Sequence, residues 1–186
     1  ETLDCHGDRT TPRAFGLDVG WGKTAAIWGA WDRKSDIVYL YDEHYVGEEN
    51  PQVHAETIKG SGVKSNLRAK WIPGVIDPAA KGRGQKDGEK LLEIYRGLGL
   101  ELETAINAVD SGVRAVWLRL SSGRLKVFSH LQYFYKEYLL YRRDENGKII
   151  DSKKRPDHLM DATRYLIMSG IEHMKEVPYA VTRESL

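Results

Sequence analysis

A chain of 186 residues in which 28 Lys+Arg face 27 Asp+Glu carries a formal charge of +1, so no global charge selects a partner. The length suits one domain with a substantial core. Apolar residues at 41% and charged residues at 30% argue against disorder, and the single cysteine, Cys5, excludes an internal disulfide and a cysteine-only zinc site. The longest apolar stretch, residues 25–31, falls far short of the roughly 20 residues of a membrane span, so no membrane partner is expected. The first residues carry no secretory pattern. The chain opens at Glu1 and is expected to be a piece of a longer protein.

Residues 1–13 read as a tail or linker, 14–175 as the folded domain and 176–186 as a second tail. Residues 14–20 form a short apolar run holding one charge. Residues 24–31 and 37–46 follow, separated by Asp32-Arg33-Lys34-Ser35-Asp36. Three β-rich runs with polar punctuation predict an antiparallel meander. Asn50-Pro51 has the form of an N-cap followed by proline at the first helical position, and predicts a helix to about residue 59. A fourth strand is predicted over 70–77, then a helix over 85–98 with Leu91, Leu92, Tyr95 and Leu98 at helical spacing, then a short strand over 100–103. Val109, Val113, Val116, Trp117 and Leu120 predict an amphipathic helix. Residues 124–128 suit a further strand, and Leu131, Phe134, Tyr135 and Tyr138 mark another helix. Glu145-Asn146-Gly147-Lys148 has the composition of a tight hairpin turn, and its hairpin is expected to lean over the site and limit access. The last helix spans 157–174. Three antiparallel strands feeding strand–helix alternation predict an α/β fold, a mixed central sheet covered by helices on both faces. That is the ribonuclease H-like arrangement; a doubly wound nucleotide-binding fold would not start with a meander.

Asp18 sits inside the apolar run Phe15-Gly16-Leu17-Asp18-Val19-Gly20. A carboxylate in a buried strand is costly unless it is paired or ligates a metal. The following Gly20-Trp21-Gly22-Lys23-Thr24 resembles the end of a phosphate-binding P-loop. The spacing fails, because position 17 is leucine and a strand rather than a helix follows. Asp77 ends a second apolar run just before Pro78, and strand ends in mixed sheets collect sites; capping of the next helix is the competing reading. Asp157 and Asp161 stand at i, i+4 on one helix face. Asp157 equally suits the positive N-terminal end of that helix, and the competing reading of Asp161 is a surface pair with Arg164. His158 is placed to tune a ligand or bind phosphate, with a plain capping-turn histidine as the alternative. Asp18, Asp77 and Asp161, with Asp157 beside them, are hard oxygen donors with no cysteine or histidine cluster in competition. Such a set suits Mg²⁺ or Mn²⁺. Two such ions roughly 3.5–4 Å apart clamp the attacking water and leaving oxygen of a phosphodiester.

The charge is uneven locally. Residues 59–90 hold eight basic residues against three acids, residues 111–128 hold four and no acid, and Lys153-Lys154-Arg155 form a third run. A polyanion bound around an acidic centre needs such flanks. Lys81, Arg83 and Lys86, then Arg124 and Lys126, then Lys153, Lys154 and Arg155 are the candidate phosphate contacts.

Four stretches together carry a family likeness: Gly16-Leu17-Asp18-Val19-Gly20; Ile76-Asp77-Pro78; Ser122-Gly123-Arg124-Leu125 with Glu137 downstream; and Asp157-His158-Leu159-Met160-Asp161-Ala162-Thr163-Arg164-Tyr165. The chain resembles the C-terminal nuclease domain of the large terminase subunit of tailed bacteriophages. The resemblance implies a ribonuclease H-like fold and metal-dependent cleavage of double-stranded DNA during genome packaging. Family catalytic acids map onto Asp18, Asp77 and Asp161, with Asp157 and His158 beside them. It further implies an N-terminal ATPase domain in the same full-length protein, the portal and small terminase subunit as partners, and a place in the host cell cytoplasm. Two other classes stay open: a fragment of an actin-like or sugar-kinase-type ATPase, and a non-catalytic DNA-binding module.

Overall fold

The computed structural model describes residues 11–20, 22–60, 68–81, 91–141 and 156–176. Strands β1 (Arg13–Val19), β2 (Thr24–Asp32) and β3 (Ile37–Val46) form the predicted antiparallel meander. Helix α1 (Pro51–Ile58) follows, and the Asn50 side chain accepts from the Val53 amide at 3.1 Å, as the N-cap reading requires. Next come β4 (Gly74–Ile76), a 3₁₀ turn at Pro78–Lys81, α2 (Leu91–Gly97) and β5 (Leu102–Thr104). Then come α3 (Val109–Ser121), β6 (Leu125–Val127), α4 (Gln132–Leu140) and α5 (His158–Tyr165). Alpha-helix α5 runs on through a π-helical turn at Leu166–Gly170 into α6 (Ile171–His173).

The sheet order is β5-β4-β1-β2-β3-β6, with β4 parallel to β1 and β6 parallel to β3. Helices cover both faces. Phe15, Leu17 and Val19 of β1 pack with Ala55 and Ile58 of α1 and Leu92 and Tyr95 of α2. Ala14 and the β2 residues Ala25 and Ile27 pack against α4 and α5 through Phe134, Leu159 and Ala162. Alternation along β1 therefore turns Gly16 and Asp18 toward α5.

One of these elements differs in extent from the sequence reading. Strand β4 is shorter than 70–77, because Pro73 has no N–H to give to a ladder and the Ile72 amide turns back to Ala69. The amphipathic helix α3 forms as predicted, with Val116 and Leu120 of its stripe packed against the core while Val109 and Trp117 are exposed. The stripe also lines an open apolar groove of about 400 Å³ with Tyr138 and Leu139 of α4.

Close approach fixes where α5 lies. A Cβ on Gly16 would sit 2.0 Å from the Ala162 carbonyl oxygen, so the helix backbone crosses the strand at that point. Leu166 fills the space left by three glycines: a Cβ would come within 3.2 Å of it at Gly16, 2.8 Å at Gly29 and 2.7 Å at Gly170. Gly16→Ala has no flexible neighbour to displace, so α5 must lift. The expected loss of stability is on the order of 3 kcal/mol. A shift of the urea midpoint measures it, and a variant as stable as the parent would refute the crossing.

Candidate metal centre

The C-terminal ends of β1, β3 and β4 lie at one end of the sheet, as their parallel directions require. Asp18 is the penultimate residue of β1, and Asp77 directly follows β4, its amide donating to the Leu17 carbonyl at 2.9 Å. Because α5 crosses at Gly16, its first turns hang over Asp18, two residues further along the same strand face. The result is a cleft of about 310 Å³ lined by Asp18, Asp77, Asp157, His158, Asp161 and Tyr165, among others. The sequence-predicted acids are thus brought together.

Three of the four carboxylates have a named partner among the described residues. Asp18 meets His158 Nδ1 at 2.8 Å, and that hydrogen bond holds the imidazole above its ordinary pKa. Asp77 accepts from the Ala79 amide at 2.9 Å, capping the 3₁₀ turn, and from the Tyr165 hydroxyl at 3.2 Å. Burial, and then the Asp77 charge, push the Tyr165 phenol up, so it remains a donor at neutral pH. Asp161 accepts from Arg164 Nε and Nη2 at 3.2 and 3.0 Å. The sequence suggested a surface pair, but Arg164 is only 3% exposed. Gly112 leaves room for its stem, and Nη1 reaches Asn107 at 3.0 Å. Burial raises Asp161 despite the Arg164 charge. Asp157 occupies the N-cap position without capping, and burial followed by the Asp161 charge pushes it up to about 6.

Among the described residues, no three His, Cys, Asp or Glu side chains are drawn together as a ready cage. The acids instead engage His158, Tyr165 and Arg164. The donor set nevertheless fits a hard divalent cation. It is oxygen-rich, it lines one cleft, and the neighbouring charges that raise Asp157 and Asp161 are what a cation would neutralise.

Two carboxylates to which the sequence reading gave no role orient the site. Neither α4 nor α5 has its own side-chain N-cap. Glu43 of β3 accepts from the Tyr133 and Phe134 amides at 3.0 and 2.8 Å, fixing the start of α4. Glu137 of α4 accepts from the Leu159 and Met160 amides at 2.6 and 3.3 Å, fixing the start of α5. Burial pushes the Glu137 carboxyl up, against the pull of those amides. Position relative to a helix that begins some 20 residues later carries no local signal; only the resemblance singled Glu137 out.

Of the basic candidates, two have described side chains, Arg124 and Lys126. Arg124 and Lys126 lie at the opposite end of the sheet, where β6 pairs with the first half of β3, and Arg124 is bound to Asp36 at 3.1 Å. Arg68 is buried, 2.5 Å from Asp42 and over the Trp28 ring. Lys81 ends the 3₁₀ turn beyond Asp77, its side chain outside the described part. Arg83, Lys86, Lys153, Lys154 and Arg155, and the predicted hairpin around Asn146, lie outside the described residues.

Two outcomes follow from this geometry. An acid whose folded pKa is raised stabilises the fold below its unfolded value, near 3.8 for Asp157, and that contribution is lost as pH rises through about 6. Asp157→Asn without metal is therefore expected to raise stability at pH 7.5 by about 1 kcal/mol, after solvent screening of this half-buried group, with little change at pH 4. Thermal melts at both pH values check this, and a lower melt at pH 7.5 would refute it. Glu137→Ala strands two amides and should cost about 1–3 kcal/mol. Glu137→Gln keeps an acceptor and should recover most of that in a urea titration.

Comparison with known proteins agrees with this frame. A family model described as the terminase RNaseH-like domain matches residues 15–169. The terminase large subunit of Salmonella phage P22 is 33% identical over 178 residues, covering 89% of this chain and 33% of the relative, so the chain spans about a third of that protein's length. The structure of the P22 large terminase nuclease domain superposes with a TM-score of 0.76 at 26% identity, covering 99% of this chain and 90% of that one. The nuclease domain of the bacteriophage SPP1 large terminase, solved with bound Mn, shares the fold at a TM-score of 0.58 and 20% identity, covering 88% and 89%. With the match running from β1 into the π-helical turn after α5, and so across all four acids of the cleft, the chain belongs to the terminase RNaseH-like domain family.

Proposed function

We propose that this domain is a metal-dependent endonuclease that cleaves double-stranded DNA during phage genome packaging, acting through two divalent ions. The observation that carries the reading is the convergence of Asp18, Asp77, Asp157 and Asp161 on one open cleft at the C-terminal end of the sheet. Asp18, Asp77 and Asp161, with Asp157 beside them, would hold Mg²⁺ or Mn²⁺; the bound manganese of the SPP1 nuclease domain supports that choice. Bound there, such ions supply Lewis acidity to a phosphodiester and activate water as the nucleophile.

The chain's own groups do the positioning. His158 Nδ1 orients Asp18, and Tyr165 together with the Ala79 amide orients Asp77. Arg164 balances the Asp161 charge from a buried, fixed position. His158, held toward its charged form by Asp18, offers a positive edge to an approaching phosphate. In the intact protein the partners on this reading are an N-terminal ATPase domain of the same chain, the portal and the small terminase subunit, in the host cell cytoplasm.

Asp18→Asn preserves shape and removes one ionised donor. It is expected to abolish nicking and linearisation of supercoiled plasmid in Mn²⁺, a loss of at least about a hundredfold, with an unchanged circular dichroism spectrum. Cleavage at the parental rate would overturn the mechanism.

A further inference from the structure

On the His158 side of the cleft, four side chains form a continuous row. The Tyr45 ring lies 6.3 Å from the His158 ring and stacks on Tyr133, with centroids 4.8 Å apart and planes 22° apart. Each tyrosine carries a lysine: Lys23 Nζ stands 4.7 Å from the Tyr45 ring centre, and Lys136 Nζ 5.1 Å from that of Tyr133. The residues come from three elements. Lys23 belongs to the turn just past Asp18, Tyr45 to the end of β3, and Tyr133 and Lys136 to α4, whose start Glu43 pins to β3. Gly47 closes the row at one end, since a Cβ there would lie 2.2 Å from the Gly22 carbonyl oxygen and 3.3 Å from Lys23 Nζ.

Charge separates this row from the basic runs seen in the sequence. Arg68, Arg119 and Arg124 are neutralised by Asp42 and Asp36. Lys23 and Lys136 form no ion pair with a described carboxylate; their only described partners are aromatic faces. A ring holds an ammonium by its quadrupole without cancelling its charge. Two flexible side chains are thereby ordered in advance while their charge stays available.

We propose that Lys23 and Lys136, mounted on the stacked Tyr45–Tyr133 pair, form a rail that binds the sugar-phosphate backbone of nucleic acid as it leaves the carboxylate cleft on the His158 side. The proposal rests on the reading that a phosphodiester is the substrate of that cleft. Lysine on an aromatic ring offers a point charge without a fixed hydrogen-bonding fork, so the rail positions the strand without reading bases.

The test compares Lys23→Gln/Lys136→Gln with the parent. Binding of a fluorescein-labelled duplex is followed by anisotropy in Ca²⁺ across a NaCl series. Two lost phosphate contacts should lower the slope of log affinity against log salt by about 2 and weaken low-salt binding about tenfold or more. Mn²⁺ binding by calorimetry and hydrolysis of bis(p-nitrophenyl) phosphate should match the parent. Arg33→Gln/Lys34→Gln makes the same charge change at the opposite end of the sheet and should leave the slope unaltered. Tyr133→Leu, which keeps both charges but removes one ring, should weaken binding by a smaller factor. An unchanged slope in the double lysine variant, or an equal fall in the distant control, overturns the rail and leaves the nuclease reading standing. A parent that binds duplex through these lysines but cuts none supports the rail and removes the nuclease reading.

Discussion

The site depends on a backbone contact in which no side chain takes part: the carbonyl of Ala162 resting on the bare Cα of Gly16. A helix normally stands off a sheet by the length of the side chains between them. Here that spacer is missing at one point, and the helix comes down onto the strand. The strand's pleat then puts Asp18 on the same face as Gly16, and the helix period puts Asp161 and Tyr165 one turn apart. Carboxylates distant in sequence meet because the two periodicities are locked in phase where the elements touch.

Holding such acids together has an electrostatic cost, and three different devices offset it. Asp18 shares a hydrogen bond with an imidazole, Asp77 takes two neutral donors, and Asp161 takes a buried guanidinium. Among the described residues Asp157 has no comparable support, and burial and the Asp161 charge push it up to about 6. The supports also come from different directions. Arg164 and Tyr165 follow Asp161 along the same helix, while the start of that helix is held by Glu137, and the start of α4 by Glu43. Orientation thus passes from β3 to α4 to α5 through carboxylates on amides, a relay that ends at His158.

The parts of this legible in the sequence were those with local periodicity. The meander, the Asn50 cap and the acids Asp18, Asp77, Asp157 and Asp161 could be read because apolar alternation, a cap followed by proline, and i, i+4 spacing are short-range signals. Glu43 and Glu137 could not be read so, because each caps a helix whose first turn has no capping side chain of its own. The α3 stripe was legible as a face, but apolar spacing does not say how much of that face is covered. The basic run at 124–126 carries no positional signal, since a block of charge in sequence does not say at which end of a strand it lies. Arg124 and Lys126 ended far from the acids, whereas Lys23, a single lysine in a failed P-loop, lies on Tyr45, whose ring neighbours His158.

The Leu166 socket bears on how such a domain can drift in sequence. Three glycines from β1, β2 and the π-helical turn each leave a space that one leucine occupies. Alanine at 29 or 170 demands a smaller or differently branched side chain at 166, and a bulkier residue at 166 has no glycine left to give way. Homologous frames should therefore exchange these positions as a linked set, with total volume held nearly constant while individual residues vary. Position 16 is the exception within the set, because its neighbour is also a backbone carbonyl that no substitution at 166 can move.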